Sequence, residues 1–565
     1  MMRFIEGFRT ILKSRLFAIA VVAACSCAPL QTQKAPSQVV IPLPPMGWSS
    51  WNSFSNTVDS KIVAAQAQAM VASGMRDAGY MYINIDEGWW QGKRDDQGNI
   101  VVDPKAWPAL APGEHAGDMS NIVRYIHSLG LKAGIYTDAG SNGCGTYDPD
   151  LGPGYPYTGS EGHYLEDFTQ FGKWGFDYVK IDYCGASEEN LDPAHQYEEM
   201  ARALIQAEAA TGHAMFLSIC AGKSSPWMWA PNVGGLLSDI WRTGSDIVGP
   251  VVEGTPNRYM NLTCTKNCPR KASFQRVLRN FDQGIHPEAQ HTGFYNDPDM
   301  MVLGMAGLTE TENRVHMSLW AISGAPLIVG ADLTRLSAES VAILKNREVI
   351  QIDQDPLGLQ AIKVAEPRAG LEVWSKKLAT PGERAVLLLN RTGEPTAISV
   401  EWSDLGLLGS ASSSIKDPWS GKEMHASAKP IAATVQDGDA VMLLVKGEEG
   451  AVTRYRTEEL NQPATGNLAT SCLGGRDFRF TGVESKNRIA AIQVIFANAD
   501  KTPRSAELRV NGQNGTKIVF PSMGESGELG AVWFQATMDR AETKNSLTFS
   551  TDCSAGLDIK EIALQ

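Results

Sequence analysis

Short apolar, strand-like runs alternate with amphipathic helical stretches, and this regular alternation constrains the chain more than any other feature. It extends from residue 45 to about residue 350. The strand candidates are Met46–Trp51, Tyr80–Asp86, Leu131–Thr137, Phe176–Asp182, Ala214–Cys220, Asp239–Thr243, Gly293–Asp297 and Ala325–Val329. Helical patterns lie between them, at Lys61–Met75, Met119–Leu129, Tyr164–Trp174, Ala194–Ala210, Phe274–Phe281 and Asn313–Ile322. Such a series of strand–helix units is typical of an α/β fold, the (β/α)8 TIM barrel, which we predict for residues 45–350.

Acidic side chains gather at the carboxyl ends of the predicted strands, where barrels of this kind place their active sites. They are Asp86, Glu87, Asp138, Asp182, Asp246, Asp297 and Asp299. In the segment Tyr178–Cys184, side chains two apart share a face, so Lys180 and Asp182 point together. Because a nearby cation favours the anion, we expect Lys180 to keep Asp182 deprotonated.

Asp182 taken alone equally suits a solvated strand-end acid or a helix cap. Asp246, however, follows a later strand, in Ile240–Asp246. Two carboxylates from different strand ends are what hydrolysis of a glycosidic bond requires. The pair therefore favours glycosidase chemistry.

Two further domains of β-structure are expected after the barrel. Residues 351–448 contain short alternating runs typical of an antiparallel β-domain, namely Leu371–Lys376, Ala385–Asn390, Ala397–Trp402 and Ala440–Val445. Residues 455–565 show a similar pattern with an Asn511-Gly512 turn, which predicts a β-sandwich. The simplest role of either domain is packing or spacing.

The N-terminus has the pattern of an export signal. A basic region precedes a short apolar run ending at Ala24, which is too short to span a bilayer. Residues 1–24 are therefore predicted to be a lipoprotein signal with Cys25 as the lipidated residue, and cleavage near Ala24 or Ala28 is the alternative. Residues 25–44 are expected to be a tether. The predicted location is the bacterial periplasm or outer membrane, with membrane contact only through the lipid.

Charge and cysteine content limit the remaining options. A formal net charge of −13 argues against nucleic acid as a partner. Apart from Cys25 and Cys27, seven of the nine cysteines remain, and export permits disulfides. One pairing is Cys144–Cys184, Cys264–Cys268 and Cys472–Cys553, which leaves Cys220 free. No cysteine or histidine spacing fits a zinc site, so no metal is predicted.

Several motifs, taken in order, carry a family resemblance over roughly residues 44–448. They are Pro45–Asn52, Tyr82–Trp89, Gly134–Asp138, Tyr178–Cys184, Trp241–Asp246, Asn296–Met300, Leu319–Leu327 and Asn346–Pro356. With these motifs the chain resembles glycoside hydrolase family 27, the melibiase-type α-galactosidases. The resemblance implies an exo-acting retaining enzyme that releases terminal α-D-galactose by double displacement.

The same resemblance assigns roles to individual residues. Asp182 corresponds to the nucleophile and Asp246 to the general acid/base. Sugar contacts are expected from Trp51, Asp86, Glu87, Tyr136, Cys144, Lys180, Arg242 and Met300. Cys144 and Cys184 match a family disulfide beside the site. The barrel is expected to need no cofactor, and the partner is a galactose- or arabinopyranose-terminated oligo- or polysaccharide.

The C-terminal domain is similar to carbohydrate-binding modules of the family 35 type. The similarity is carried by Leu508–Gly512, Lys517–Pro521 and Leu557–Leu564. It implies sugar binding, although the contact residues cannot be chosen from the sequence. By the same resemblance calcium is a candidate ligand, without an identifiable ligand set.

The chain departs from the family pattern at three places. Glu87 stands where the family has Asp. Its side chain is one methylene longer, and the position lies near the C6 hydroxymethyl of galactose in the family. Since β-L-arabinopyranose is galactose without that group, a β-L-arabinopyranosidase is the first alternative. Many family members have Cys-Glu-Trp after the fifth strand, where this chain has Cys220-Ala221-Gly222-Lys223. The contact with the 2-position of the sugar is then left to residues such as Lys223 or Trp227. A cysteine pair that is common near the first two strands in the family is absent, and Gly88 occupies the position of one partner.

Two more distant alternatives remain. Altered sugar contacts permit a dextran-trimming glucosidase, although no residue specifies one. A non-catalytic sugar-binding lipoprotein belongs to a different class, and retention of both acids argues against it. The sequence does not indicate the oligomeric state.

Overall fold

The first and largest part of the chain forms an eight-stranded parallel barrel. The computed structural model describes residues 36–146, 158–220, 239–250, 270–425, 428–459, 476–485, 488–513, 515–524, 528–539, 544–551 and 556–564. The barrel strands β1 to β8 are Met46–Ser49, Tyr82–Asn84, Lys132–Asp138, Tyr178–Asp182, Phe216–Ile219, Ile240–Arg242, Tyr295–Asp297 and Leu327–Val329. The predicted (β/α)8 fold is confirmed, and every predicted strand is present within two residues of its expected ends.

The strands pair in the order β7-β6-β5-β4-β3-β2-β1-β8, so sequential strands are neighbours. The ring closes between β7 and β8 through the segment that follows β7. There Met301 forms a parallel bridge with Val329, and its N–H donates to the Ile328 carbonyl at 2.7 Å. Closure leaves no free edge in the sheet.

Helices cover the outside of the barrel where the amphipathic pattern predicted them. Polar N-caps define several starts: the side chains of Asp59, Asp192 and Thr309 each accept a backbone N–H from the first turn. The main helices are Ser60–Ala72, Ser120–Ser128, Tyr164–Trp174, Pro193–Thr211, Phe274–Gln283 and Glu310–Ser323. Shorter helices, which the sequence analysis did not predict, are Trp51–Phe54, Cys184–Glu188, Ala338–Leu344 and Arg347–Asp353.

Layers of side chains fill the barrel interior and set the depth of the site. Tyr178, Lys180 and Asp182 alternate along one face of β4, because side chains two apart on a strand share a face. At the bottom, Tyr178 stacks on Phe216 with ring centroids 5.4 Å apart and packs with Ile240 and Tyr295. Above this apolar floor the interior becomes polar at Lys180 and ends at Asp182.

The second domain is antiparallel, as predicted. Its six strands, in sheet order, are Ile362–Arg368, Leu371–Lys377, Glu383–Asn390, Ala440–Lys446, Ser414–Lys416 and Glu423–His425. Two strand pairs complete it: Thr396–Val400 with Ile431–Val435, and Leu407–Leu408 with Glu448–Glu449. Trp402 begins a 3-10 turn, Trp402–Leu405, where the sequence analysis expected the end of a strand.

The third domain is the predicted sandwich of two five-stranded sheets. One sheet contains Ser37–Gln38, Gly530–Thr537, Ile489–Asn498, Leu557–Leu564 and Thr453–Arg456. The other contains Glu458–Glu459, Asp477–Val483, Asn545–Thr551, Arg504–Val510 and Thr516–Phe520. Gln360 and Gln535 exchange hydrogen bonds of 3.3 and 2.9 Å, which tie this sandwich to the chain that leaves the barrel.

The edge strand of that first sheet comes from the N-terminal segment. Ser37–Gln38 pairs in parallel with Gly530–Ala531, and Val39 and Ile41 are buried in the sandwich core. Residues 25–44 were expected to be only a tether; from Ser37 onward they are part of a folded domain, because alternate apolar side chains here find an unpaired sheet edge. Among the described helices, none has the length and apolar character needed to cross a bilayer.

Candidate active site

A buried ion pair lies at the carboxyl end of the barrel. The ammonium group of Lys180 is 2.9 Å from Asp86 Oδ2 and 3.7 Å from Asp182 Oδ2. Burial alone would lower the pKa of Lys180, but the carboxylates of Asp86 and Asp182 outweigh it and raise the pKa well above its usual value. Ser49 Oγ donates to the same Asp86 oxygen at 3.3 Å. Lys180 therefore stays charged and joins the ends of β2 and β4.

Asp182 ends β4 with its carboxylate beside Lys180. Burial raises its pKa above the usual value, Lys180 opposes the shift, and the charges of Asp246 and Asp86 add to it. Lys180 therefore favours the anion, as expected, while desolvation and the two like charges exceed its effect on the pKa. The backbone N–H of Tyr183 donates to Asp182 Oδ1 at 3.0 Å, which leaves Oδ2 facing Lys180.

Asp246 lies on the loop after β6, close enough to Asp182 for the two charges to interact. Its side chain is 54% exposed and pairs with Arg242 Nη2 at 2.6 Å. Arg242 is itself buried and also contacts Asp299, whose Oδ1 lies 3.1 Å from Nη1. The two acids therefore lie at the same mouth of the barrel, one at the end of β4 and the other on the loop after β6.

Glu87 is buried in the wall of the site. Its Oε1 accepts the N–H of Gly145 at 2.7 Å, and its Oε2 accepts the hydroxyl of Tyr136 at 3.4 Å. Burial raises the pKa of Glu87 to about 8, Gly145 opposes this, and Asp182 and Asp86 add to it. The side chain is therefore mostly protonated at neutral pH.

A disulfide borders the site on the same side. Cys144 and Cys184 are bonded, which confirms the predicted pair, and Cys220 is free and buried. Asp138, at the end of β3, accepts the N–H groups of Cys184 at 2.8 Å and Gly185 at 3.1 Å. Burial and the charge of Asp182 raise the pKa of Asp138 to about 7. Asp138 thus holds the start of the helix Cys184–Glu188, which follows β4.

The remaining predicted contact residues fall at the same end of the barrel. Trp51 begins the short helix directly after β1 and is half-buried. Met300 lines a cavity of about 30 Å³ together with Asp86, Lys180 and Arg242. That volume suits about one water molecule.

Seven residues given a candidate role in the sequence analysis lie outside the described part of the chain. They are Cys25, Lys223, Trp227, Cys264, Cys268, Cys472 and Cys553. Within the described residues, one group has the spacing of metal ligands, namely Asp138, Asp182, Cys144 and Cys184. Because both cysteines are oxidised to a disulfide, they do not offer thiolate ligands.

Asp297 and Asp299 were expected as acids at a strand end, without an assigned role. Asp297 Oδ1 accepts the N–H of Asp299 at 2.9 Å, and Asp299 contacts Arg242. In the sequence they are marked by their place at a strand end and by the motif Asn296–Met300. Neither feature indicates that Asp299 would contact Arg242.

A (β/α)8 barrel with two interacting carboxylates at its mouth is typical of the class of glycoside hydrolases. The chain matches the family model described as "Alpha galactosidase A" over residues 43–246 and 272–355. Residues 368–445 match "Alpha galactosidase C-terminal beta sandwich domain" and residues 477–560 match "Alpha-galactosidase, CBM13 domain". The chain belongs to the alpha-galactosidase family, glycoside hydrolase family 27.

Relatives and solved structures agree with this membership. Alpha-galactosidase A of Cellvibrio japonicus is 40% identical over 363 residues, which is 64% of this chain and 79% of the relative. The crystal structure of alpha-galactosidase I from Mortierella vinacea superposes with a TM-score of 0.59 at 27% identity, over 72% of this chain and 98% of that one. A β-L-arabinopyranosidase from Geobacillus stearothermophilus shares the fold, with a TM-score of 0.59 at 20% identity over 72% and 96%.

Proposed function

We propose that this chain is an exo-acting α-galactosidase that works by double displacement, with Asp182 as nucleophile and Asp246 as general acid/base. The observation that carries the proposal is the meeting of these two acids, from β4 and the loop after β6, within electrostatic range of each other. Family membership supports the galactoside as substrate. The substrate class is a galactose-terminated oligosaccharide.

In the first step Asp182 Oδ2 attacks the anomeric carbon, and the bond to the leaving oxygen breaks as Asp246 donates a proton to that oxygen. The product is a galactosyl ester of Asp182. In the second step Asp246 removes a proton from water, the water oxygen attacks the same carbon, and the Asp182 carboxylate leaves. Two inversions give retention. Lys180 and Arg242 hold the carboxylates and donate to ring hydroxyls.

The direct test is the Asp182→Asn variant, assayed on 4-nitrophenyl α-galactoside. We expect kcat to fall on the order of 10³-fold or more, because the amide cannot form the ester. The matched control is Asp192→Asn at an exposed helix N-cap, which should retain wild-type turnover. Turnover by a folded Asp182→Asn protein at the wild-type rate would remove the proposal. Proton NMR of the first-formed sugar separately tests retention.

A second substrate, a β-L-arabinopyranoside, is favoured by one observation. Glu87 stands at the end of β2 where the family has Asp, and its carboxyl group is enclosed by Gly145 and Tyr136. A longer acid leaves less room for a C6 hydroxymethyl. The test compares kcat/KM for the two nitrophenyl glycosides in the wild type and in Glu87→Asp. A strong wild-type preference for the galactoside would show that Glu87 is not the discriminator.

The C-terminal sandwich is proposed to bind carbohydrate. Two features support this: its match to a carbohydrate-binding domain, and a cavity of about 680 Å³. Polar side chains line the cavity, including Glu288, Arg488, Gln513 and Asp539. Such groups suit hydroxyl-rich ligands.

Affinity electrophoresis in galactan or arabinogalactan gels tests this binding. The full-length Asp182→Asn chain avoids hydrolysis and should be retarded. Adding Arg488→Ala should reduce the retardation, whereas adding Arg479→Ala, an exposed arginine outside the cavity, should not. Equal retardation of both would assign the binding elsewhere, and no retardation would leave the domain a packing unit.

Export and lipid attachment at Cys25 complete the proposal. The support is the basic and apolar pattern of residues 1–24 followed by cysteine. Mass spectrometry of the mature N-terminus in a bacterial host tests it: a diacylated Cys25 is expected, and Cys25→Ser should release the protein from membranes. An unmodified N-terminus near Ala24 or Ala28 would contradict the lipid anchor.

A further inference from the structure

The acid Asp246 needs support from outside its own strand. It lies on a loop beyond β6, its side chain is 54% exposed, and Arg242 Nη2 contacts it at 2.6 Å. General acid catalysis requires the carboxyl group to sit within hydrogen-bond reach of the leaving oxygen. The contacts that fix this loop therefore decide whether the acid can work.

We infer that Asp299 is the positioning residue for Asp246, an inference that depends on the catalytic roles proposed above. Asp299 follows β7 and is 1% exposed. Its Oδ2 accepts the N–H of Ile247, the residue after Asp246, at 2.8 Å. Its Oδ1 lies 3.1 Å from Arg242 Nη1, while Nη2 of the same guanidinium contacts Asp246 at 2.6 Å. One carboxylate thus holds both the backbone and the side-chain partner of the acid.

The conformation of Asp299 is itself held in place. Its φ of 102° lies in a region that side chains other than glycine rarely adopt. Trp320 Nε1 donates to its carbonyl at 3.0 Å, and the N–H of Met300 donates to its Oδ1 at 2.7 Å. Strained residues persist where surrounding contacts over-determine them, and they cluster at functional sites. Asp299 is therefore a rigid anchor.

Other described contacts secure the backbone of the loop. Arg279 Nη2 donates to the carbonyls of Ser245 at 3.3 Å and Asp246 at 3.2 Å, and Asn280 Nδ2 donates to Ser245 at 2.6 Å. These bonds restrain the chain on the side of Ser245. Only Asp299, among the contacts described, links the far side of the loop to Arg242. Its loss should leave the loop folded but remove the carboxylate that holds Arg242 Nη1, so that the Arg242–Asp246 contact is less firmly oriented.

The test compares two substrates whose leaving groups differ in their need for a proton. A loss confined to the substrate that needs one indicates failed protonation, and an equal loss on both indicates general damage to the site. Asp299→Asn keeps the shape and removes the charge, and Asp299→Gly removes the side chain while allowing the φ of 102°. On melibiose, whose leaving oxygen requires a proton, we expect kcat/KM to fall on the order of 10²-fold or more in both variants. On 2,4-dinitrophenyl α-galactoside, whose leaving group departs as the anion, the fall should be less than about 10-fold.

Azide gives a second readout. Azide ion attacks the anomeric carbon of the galactosyl ester, the bond to Asp182 breaks, and α-galactosyl azide forms without removal of a proton. It should therefore raise kcat on the dinitrophenyl substrate in both variants and not in the wild type. The matched control is Asp239→Asn, which removes one carboxylate at the start of β6, where Asp239 Oδ2 accepts the N–H of Leu217. Asp239→Asn should show neither the selective loss on melibiose nor the rise in kcat with azide.

The outcomes are distinct. Equal losses on both substrates without azide rescue, in folded variants of normal circular dichroism, would overturn the positioning role. Turnover retained in Asp182→Asn would instead overturn the proposed mechanism itself. If Asp299→Asn does not fold, Asp299→Gly decides the question, since glycine removes the strain of this position.

Discussion

The carboxylate of Glu87 accepts a hydrogen bond of 2.7 Å from the backbone N–H of Gly145, the residue after disulfide-bonded Cys144. This contact joins the end of β2 to the loop after β3. A Cβ atom on Gly143 would lie 2.8 Å from Glu87 Oε1, so a larger residue there would have to displace the Glu87 carboxyl group. The longer acid is thereby enclosed, and burial raises its pKa to about 8.

The protonation of Glu87 should make stability depend on pH. Its folded-state pKa of about 8 lies above the ordinary 4.5. Between these values the native state holds a proton that the unfolded state has lost, so stability is full below pH 4.5 and falls as pH rises toward 8. The free energy of unfolding of the wild type should fall more steeply than that of Glu87→Gln, by up to about 1.4 kcal/mol per pH unit.

Urea titrations at several pH values measure this difference. Asp239 and Asp353 also have raised pKa values, of about 7 and 8, mainly through burial, and they should contribute equally to both proteins. Only the difference between wild type and variant therefore reports on Glu87. Parallel curves from pH 5 to 8 would show that Glu87 is ionised in the folded protein.

Lys180→Met should destabilise the barrel. Removing the cation leaves Asp86, which is 2% exposed, as an unpaired buried charge, at a cost of about 3–5 kcal/mol. Thermal unfolding measures the loss. The control is Lys446→Met, whose ion pair with Glu383 is surface-exposed and should contribute less than about 1 kcal/mol. Similar losses in the two variants would contradict the idea that Asp86 depends on Lys180.

The double variant Cys144→Ser, Cys184→Ser should be less stable and bind substrate more weakly. The disulfide closes a loop with a sequence separation of 40, worth about 4 kcal/mol by the chain-entropy model. It also fixes the loop that carries Gly145, so KM should rise. Cys220→Ala, at the free cysteine, should cost only about 1 kcal/mol. An unchanged KM in the double variant would separate the disulfide from the sugar site.

Ile41→Ala should destabilise the C-terminal sandwich although residue 41 lies at the other end of the chain. Ile41 is buried in the core of that sandwich, and truncation of a buried isoleucine costs about 2–5 kcal/mol. Val40→Ala is the matched control, because Val40 is 94% exposed and should change stability by less than about 0.5 kcal/mol. Chemical denaturation of the full chain measures both. Equal effects would show that the N-terminal segment is not part of the sandwich. The full chain is used because a fragment of residues 455–565 would lack Ile41 and the strand Ser37–Gln38.

Local pattern was sufficient for much of the fold. The strands of the barrel are apolar runs bounded by polar residues, and the helix Tyr164–Trp174 has the ends that its periodicity predicted. The helix Arg347–Asp353 was missed because seven residues span only about two turns, too few to display a clear period. The parallel strand Ser37–Gln38 was missed because two residues have no pattern, and its partner begins at Gly530.

The sequence by itself determined the order of the barrel units and the placing of Asp182 at a strand end, since periodicity and strand polarity are local properties. Only the tertiary structure decided what surrounds the acids. Asp299 reaches the loop of Asp246 from 52 residues away, and burial moves the pKa of Asp182 upward despite Lys180. Both effects arise from groups distant in the chain and from exclusion of water, which no local pattern of residues records.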